Sequence, residues 1–329
     1  MIDHSKYIVY GSELSYFTRK LEAAMIFYGA DFELRAKDAS NGPEIEQRSG
    51  THQVPVLQTP ENWMIADTTP LLQFLDSRFP SRRMFPTGPT GIMVQVLEEY
   101  FDEWIARTMV HYRWHYPRSA EFASLRMAAG DEKAAAQVRD WGPRACRATG
   151  TGSERQQREA EAEYERVLAA MERQLAITPY LLGERPTAVD CIVLGGLRAH
   201  THMDPDPKEV TARYPRVVSW CEDSADNWSG DGESDPFEAP TEFAQFVLSE
   251  MVNTYRPFIL GNRDAQAGGA KSFTAEIYGE EVSYLSRAYP ERSRLMVGER
   301  IRSQLNGAEQ RQVEDWLCKA DLDSCFLPD

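Results

Sequence analysis

The chain is poor in cysteine, with five in 329 residues, at positions 146, 191, 221, 318 and 325. A scattered, odd-numbered set without a Cys-x-x-Cys pair excludes a disulfide scaffold or a structural zinc ribbon, and fits a reducing, cytoplasmic compartment. Positive charge is also short. Against 51 acidic residues stand 36 Lys and Arg, a formal net charge of −15. That balance argues against a nucleic-acid backbone or an anionic membrane as the main partner, and leaves room for a local basic pocket. No apolar run approaches the length of a membrane span. The first residues, Met1 to Gly11, lack a basic segment followed by an apolar one, so no signal peptide is read there. No internal repeat is present. What remains is a chain 42% hydrophobic, with enough apolar content for a core and enough length for more than one domain.

The periodicities organise it. Residues 7–10 read as a buried strand. Phe17, Leu21, Ala24, Met25 and Tyr28 recur at helical spacing over 16–29. Phe32 to Ala36 is a second strand, and 38–51, with Asn-Gly-Pro, reads as a loop holding at most one helical turn. Strands at 54–59 and 63–67 flank the turn Pro60-Glu61-Asn62. Thr68 or Thr69 caps a helix with Pro70 in its first turn. The order β-α-β-loop-β-β-α is thioredoxin-like and ends near Phe79-Pro80. A Pro/Gly linker leads to a helix over 92–115. Residues 117–152 look irregular and are read as an insertion. A charged amphipathic helix spans 153–176, and Thr187-x-x-Asp190 opens an apolar helix. The polar, acidic stretch 224–236 reads as a linker. Beyond it come a helix at 241–254, a Gly/Ala loop at 265–270, a hairpin from Ser272–Ile277 and Val282–Leu285, and helices at 293–305 and 307–320. The expected class is α+β: a thioredoxin-like domain (1–82), an all-helical domain (90–225), and an extension (237–329). An isolated hairpin is marginal in water, so the extension is expected to pack back on the helical domain.

The most informative stretch is Val54-Pro55-Val56-Leu57 followed by Ala66-Asp67-Thr68-Thr69-Pro70. Proline at a strand start cannot donate to a ladder. The sequence predicts a cis Val54–Pro55 bond, which turns the Val54 backbone outward toward an extended peptide. Asp67 and Thr68 then stand at a helix N-terminus, where N–H groups and the dipole favour a carboxylate. Together these would hold a small anionic peptide. With the N-terminal segment YIVYGSELSYFTRKLEAAMIFYG, this pattern resembles the glutathione transferase superfamily over roughly residues 6–225, with a Ser-type motif similar to the phi and tau classes. The resemblance implies glutathione as co-substrate, an all-helical second domain, a small hydrophobic electrophile as second substrate, and a homodimer.

It also assigns roles. Ser15, four residues before Arg19, matches the Ser whose hydroxyl donates to the glutathione thiolate. Only the thiolate attacks, and a thiol with a pKa of about 8.5 is mostly protonated at neutral pH. Each unit of lowering takes about 1.4 kcal/mol, within reach of a charge-assisted hydrogen bond and a helix dipole. Ser12 and Tyr7 are rivals, and an N-cap without a ligand is the structural alternative for Ser15. Gln53 would reach the glycyl end, Val54 would pair with the cysteinyl backbone beside Pro55, and Asp67 and Thr68 would hold the γ-glutamyl ammonium and carboxylate. No cysteine precedes Cys146, so mixed-disulfide chemistry on the first domain is not expected.

Tyr100, Trp104, His111 and His115 share one helix face and are expected to line the second-substrate site, core packing being the alternative. His111/His115 and His200-x-His202 with Asp204 and Asp206 have metal-like spacing but lack a convincing ligand set, so no metal is expected. The leading expectation is an enzyme that binds glutathione and adds its thiolate to an electrophile. The rival is a non-catalytic glutathione-binding or protein-interaction module on the same fold.

Overall fold

The computed structural model describes residues 6–327. Residues 1–5, part of the segment read as carrying no leader, and the last two residues of the extension lie outside that range. A four-stranded sheet carries the N-terminal third. Strand β1 (Tyr7–Gly11) runs through helix α1 (Tyr16–Tyr28) to the parallel strand β2 (Phe32–Ala36). Helix α2 (Gly42–Ser49) leads to β3 (Val56–Gln58), antiparallel to β1, and β4 (Met64–Ala66), antiparallel to β3. The spatial order is β2-β1-β3-β4, closed by α3 (Thr68–Arg78). Val9 stands between Leu34 and Leu57 in register, and Val9 and Leu57 are fully buried. This is the thioredoxin-like arrangement that the sequence implies. The loop expected at 38–51 instead contains the two-turn helix α2. Pro43 sits in its first turn, Ile45 is buried, and Gly50 ends it at φ 73°, a conformation that costs glycine little.

The helical part opens with α4 (Gly88–Glu99), continues through a π-turn at Tyr100–Ile105, and ends in α5 (Ala106–His115). Residues 117–152 are not irregular. They form α6 (Pro117–Met127) and α7 (Glu132–Ala148), each with a start signal: Pro117 at the first turn of α6, and Asp131 accepting from Ala134 N at 3.0 Å in front of α7. Then come α8 (Glu154–Gln174), α9 (Ala188–Gly196), α10 (Pro205–Thr211) and α11 (Pro215–Ser219). The Thr187/Asp190 capping box forms at the head of α9, with Thr187 N 2.8 Å from Asp190 Oδ2. Asp190 also accepts from Leu181 N at 2.9 Å.

Helix α9 packs between the two parts, against α1 and α4. Its Gly195 and Gly196 lie against α1. A Cβ on Gly195 would fall 2.6 Å from Tyr16 O and 2.8 Å from Lys20 N, and one on Gly196 would fall 2.6 Å from the Tyr16 ring. Only glycine allows the two helices to approach so closely. The same seam holds a buried charge cluster, with Lys20 Nζ bonded to Glu98, to Asp102 Oδ1 (2.9 Å) and to Thr69 Oγ1 (3.0 Å).

The stretch 224–236 is strapped down: Glu184 N bonds Glu233 O (2.9 Å), Asp235 N bonds Leu182 O (2.8 Å), and Arg82 reaches Ser229 O (3.0 Å). The extension comprises α12 (Glu242–Asn253), α13 (Tyr255–Gly268), the hairpin β5 (Ser272–Ile277) and β6 (Glu280–Leu285), α14 (Ala288–Gln304), α15 (Gly307–Lys319) and α16 (Asp323–Phe326). The residues expected to loop at 265–270 largely finish α13. Helix α12 packs on α8, and α14 and α15 pack on α4. Trp104 lies under Phe258 and Tyr284, with ring centroids 5.6 and 6.3 Å away. Among the described residues, no helix is long and apolar enough to cross a membrane.

Candidate functional site

A cavity of about 460 Å³ opens beside the N-terminus of α3, within the range of small-molecule sites. One wall is Gln53, Val54 and Pro55, the segment entering β3; the next is Asp67, Thr68 and Pro70, the start of α3. The Val54–Pro55 bond is cis, as the sequence predicts. The structure therefore brings together all five residues proposed for glutathione. Val54 lies just outside the ladder, which β3 joins at Val56. Gln53 is exposed, with its N–H fixed to Thr51 Oγ1 at 3.1 Å.

Asp67 stands at φ 72°, ψ 106°, a conformation that few non-glycine residues hold. Its side chain makes no cap bond to α3. The carboxylate instead forms an ion pair with Arg292 of α14. Burial raises the Asp67 carboxyl above its usual range, against the pull of Arg292. Thr68 beside it is buried, and the first-turn N–H groups of a helix have no intrahelical partners.

Ser15 is the N-cap of α1 and half-buried, its Oγ accepting from Thr18 N at 3.2 Å. In that contact the hydroxyl accepts, so its hydrogen remains free to be donated. Helix α1 borders the cavity through Phe17, whereas Ser15 is not among the lining residues. Of its rivals, Ser12 is exposed and accepts from Leu14 N (3.3 Å). Tyr7 accepts at its phenol oxygen from Arg78 (3.2 Å), outside the cavity lining.

Tyr100, Trp104, His111 and His115 do not reach the cavity. Tyr100 and Trp104 are buried and both donate to Glu163 of α8, at 2.9 and 2.6 Å. His111 is buried and bonds Glu161 of α8 at 2.8 Å. His115 is exposed, its ring 4.8 Å from that of His111. The aromatic face therefore packs on α8 and, through Trp104, on the extension. In the π-turn, Asp102 and Glu103 face the cavity instead. A π-turn holds one residue more than an α-turn, so the face of the helix moves around by about 100°. Burial pushes the Glu103 carboxyl up to about 7, opposed by Arg287 at 3.2 Å. In the other cluster with metal-like spacing, Asp204 is held by Arg113 (2.8 and 3.2 Å) and Asp206 by the Ser119 hydroxyl (2.6 Å).

Sequence reasoning missed the far wall, built by the extension from Arg287, Tyr289, Arg292 and Met296. Nothing in the Arg-rich string of α14 distinguishes Arg292 from Arg294. A signal existed for Asp102 and Glu103: four acids, Glu98, Glu99, Asp102 and Glu103, interrupt an apolar helix.

A thioredoxin-like sheet joined to an all-helical domain, with a cavity at the cis-proline edge, defines the class. Two family models match in tandem: "Glutathione S-transferase, N-terminal domain" over residues 9–83 and "Glutathione S-transferase, C-terminal domain" over 122–225. The chain belongs to the glutathione S-transferase superfamily. The second match begins at 122, within α6, and runs through α7, so 122–152 falls inside the matched helical domain and is not an insertion into it. No curated protein matches significantly. Similar solved structures include a glutathione S-transferase from Rhodospirillum rubrum F11, 15% identical, covering 73% of this chain and 99% of its own, with a TM-score of 0.45. Another is a glutathione transferase homologue from Sulfitobacter with bound glutathione, at 13% identity, 69% and 95% coverage and a TM-score of 0.42. A third is glutathione transferase F7 from Populus trichocarpa, at 17% identity, 68% and 95% coverage and a TM-score of 0.43.

Proposed function

We propose that this chain is a glutathione transferase: it binds glutathione in the cavity between the cis-Pro55 segment and the head of α3, holds its thiol as thiolate, and adds it to a small electrophile. The observation that carries this reading is the convergence of Gln53, Val54, Pro55, Asp67 and Thr68 on one cavity. The chemistry of each group suits a part of the tripeptide. A carboxylate suits the γ-glutamyl ammonium, a helix N-terminus suits its carboxylate, and an extended backbone suits the cysteinyl unit. Ser15 is proposed to donate to the sulfur, its free hydroxyl hydrogen and its position at the start of α1 favouring an anion there. The electrophile would enter between Phe17 and the α14 wall, in place of the buried face of Tyr100 and Trp104.

A second reading, a glutathione-binding module without turnover, is favoured by the absence of Ser15 from the cavity lining. Retention on immobilised glutathione followed by an assay with a generic aryl halide separates the two: retention with turnover supports the enzyme, and retention without turnover supports the module. The reading carries with it the homodimer and cytoplasmic setting implied by the resemblance. A second copy would need a surface other than the face of α4 that α14 and α15 cover.

A further inference from the structure

The extension does more than cover the helical domain. Helix α14 is fixed at its start from two sides. Arg287 N donates to Asn262 Oδ1 (2.8 Å) and Asn262 Nδ2 donates to Arg287 O (3.0 Å), while the Arg287 guanidinium meets Glu103. Nearly two turns on, Ser293 bonds the buried Glu99, which also accepts from Tyr255 OH at 3.1 Å. Farther along, Arg300 reaches the buried Gln95 and lies 5.2 Å over the Phe85 ring. The helix is thus anchored along its length as one wall of the cavity. Between these anchors Arg292 projects into the cavity, half-exposed, with its guanidinium 4.6 Å over the Tyr289 ring and paired with Asp67.

We propose that Arg292 is a glutathione-binding residue supplied by the extension, joining the head of α3 at Thr68 in holding the α-carboxylate of the γ-glutamyl unit while Asp67 takes its ammonium. The inference rests on the glutathione reading of the cavity and names a partner that the sequence motif does not contain. An α-amino-acid head carries one positive and one negative group on a single carbon. Asp67 and Arg292 present the opposite pair side by side. When the head enters, each exchanges its mutual partner for a group of the ligand, and neither charge is left alone. Arg292 is exposed and Asp67 half-buried, so solvent still screens the pair; the ligand head replaces each partner with a group of the same charge, and a guanidinium fork suits a carboxylate in two-point contact. Stacking on Tyr289 holds the fork in place before the ligand arrives.

The test is calorimetric titration of the full-length protein and its R292Q variant with two peptides: glutathione, and γ-aminobutyryl-cysteinyl-glycine, which lacks the α-carboxylate. The expected result is a Kd for glutathione raised about ten- to a hundredfold in R292Q, with the truncated peptide bound equally by both proteins. Because Arg292 is half-exposed, R292Q should keep the wild-type melting temperature. Equal glutathione affinity in R292Q and wild type would overturn the assignment and leave the glutathione site standing. Tighter binding by R292Q would also overturn it, making Arg292 an obstruction, as would equal weakening toward both peptides. Failure of the wild type to bind glutathione would defeat the site reading itself, and Arg292 with it.

Discussion

Lys20 Nζ lies 2.9 Å from Asp102 Oδ1, across the seam between α1 and the π-turn that follows α4. Glu98 and Thr69 complete its shell. The ammonium is fully buried, yet its carboxylate partners outweigh burial and keep it protonated; burial pushes Glu98 up to about 7. One cation therefore joins the thioredoxin-like sheet to the helical domain, and one of its partners, Asp102, lines the cavity.

Removing that cation leaves the buried Glu98 carboxylate and the half-buried Asp102 carboxylate facing each other. Lys20→Met is expected to destabilise the protein by about 3–5 kcal/mol, the scale of a broken buried pair. Adding Glu98→Gln should recover part of the loss. Scanning calorimetry of wild type, single and double variants checks this, and an unchanged melting temperature in the single variant would contradict it.

Ser15 carries two separable roles. Ser15→Ala should cost about 1 kcal/mol through the lost N-cap. It should also cut turnover about ten- to a hundredfold by removing the donor to the sulfur. Ser15→Thr keeps both the cap and the hydroxyl and should retain most activity. The thiolate absorbance of bound glutathione, followed against pH, reads the second role directly. No shift of that titration in Ser15→Ala would move the role to Ser12.

Asp67→Ala should weaken glutathione binding by about 1.5–3 kcal/mol, as for a hydrogen bond to a charged group. Titration calorimetry measures the loss, and equal affinity would place the γ-glutamyl end elsewhere.

Glu103 gives a pH signature. Its carboxyl is raised in the fold to about 7, chiefly by burial, against about 4.3 when unfolded. Between these values the folded state holds the proton and the unfolded state has released it, so this group's contribution to stability falls as pH rises. Glu103→Gln lacks the titration. Its melting temperature relative to wild type should therefore climb from about pH 4 to about pH 7, the window spanned by those pKa values, and level off above it. A constant difference would show that the carboxyl titrates normally.

Much of the first domain was legible because its signals are local. A continuous apolar run marks β1, Pro55 marks the start of β3, and Asp67-Thr68-Thr69-Pro70 marks the head of α3. Helices α6 and α7 were hidden because their faces are small and polar, with Ala, Ser and Arg where an apolar stripe would announce a helix, and because Gly142-Pro143 suggests a break. The misplaced substrate face has a different cause. Spacing correctly puts Tyr100 and Trp104 on one side of the helix. Which side faces the cavity depends on a π-turn and on Glu163, distant in sequence. The α14 wall lay beyond reach for the same reason, since Arg292 meets Asp67 across 225 residues.

The most direct test of the central claim is a crystal structure of the protein soaked with glutathione. The expected result places the γ-glutamyl ammonium on Asp67, the cysteinyl backbone against Val54 beside Pro55, and the sulfur at the start of α1 within hydrogen-bond reach of Ser15. Glutathione bound outside this cavity, or an empty cavity at saturating ligand, would contradict the account.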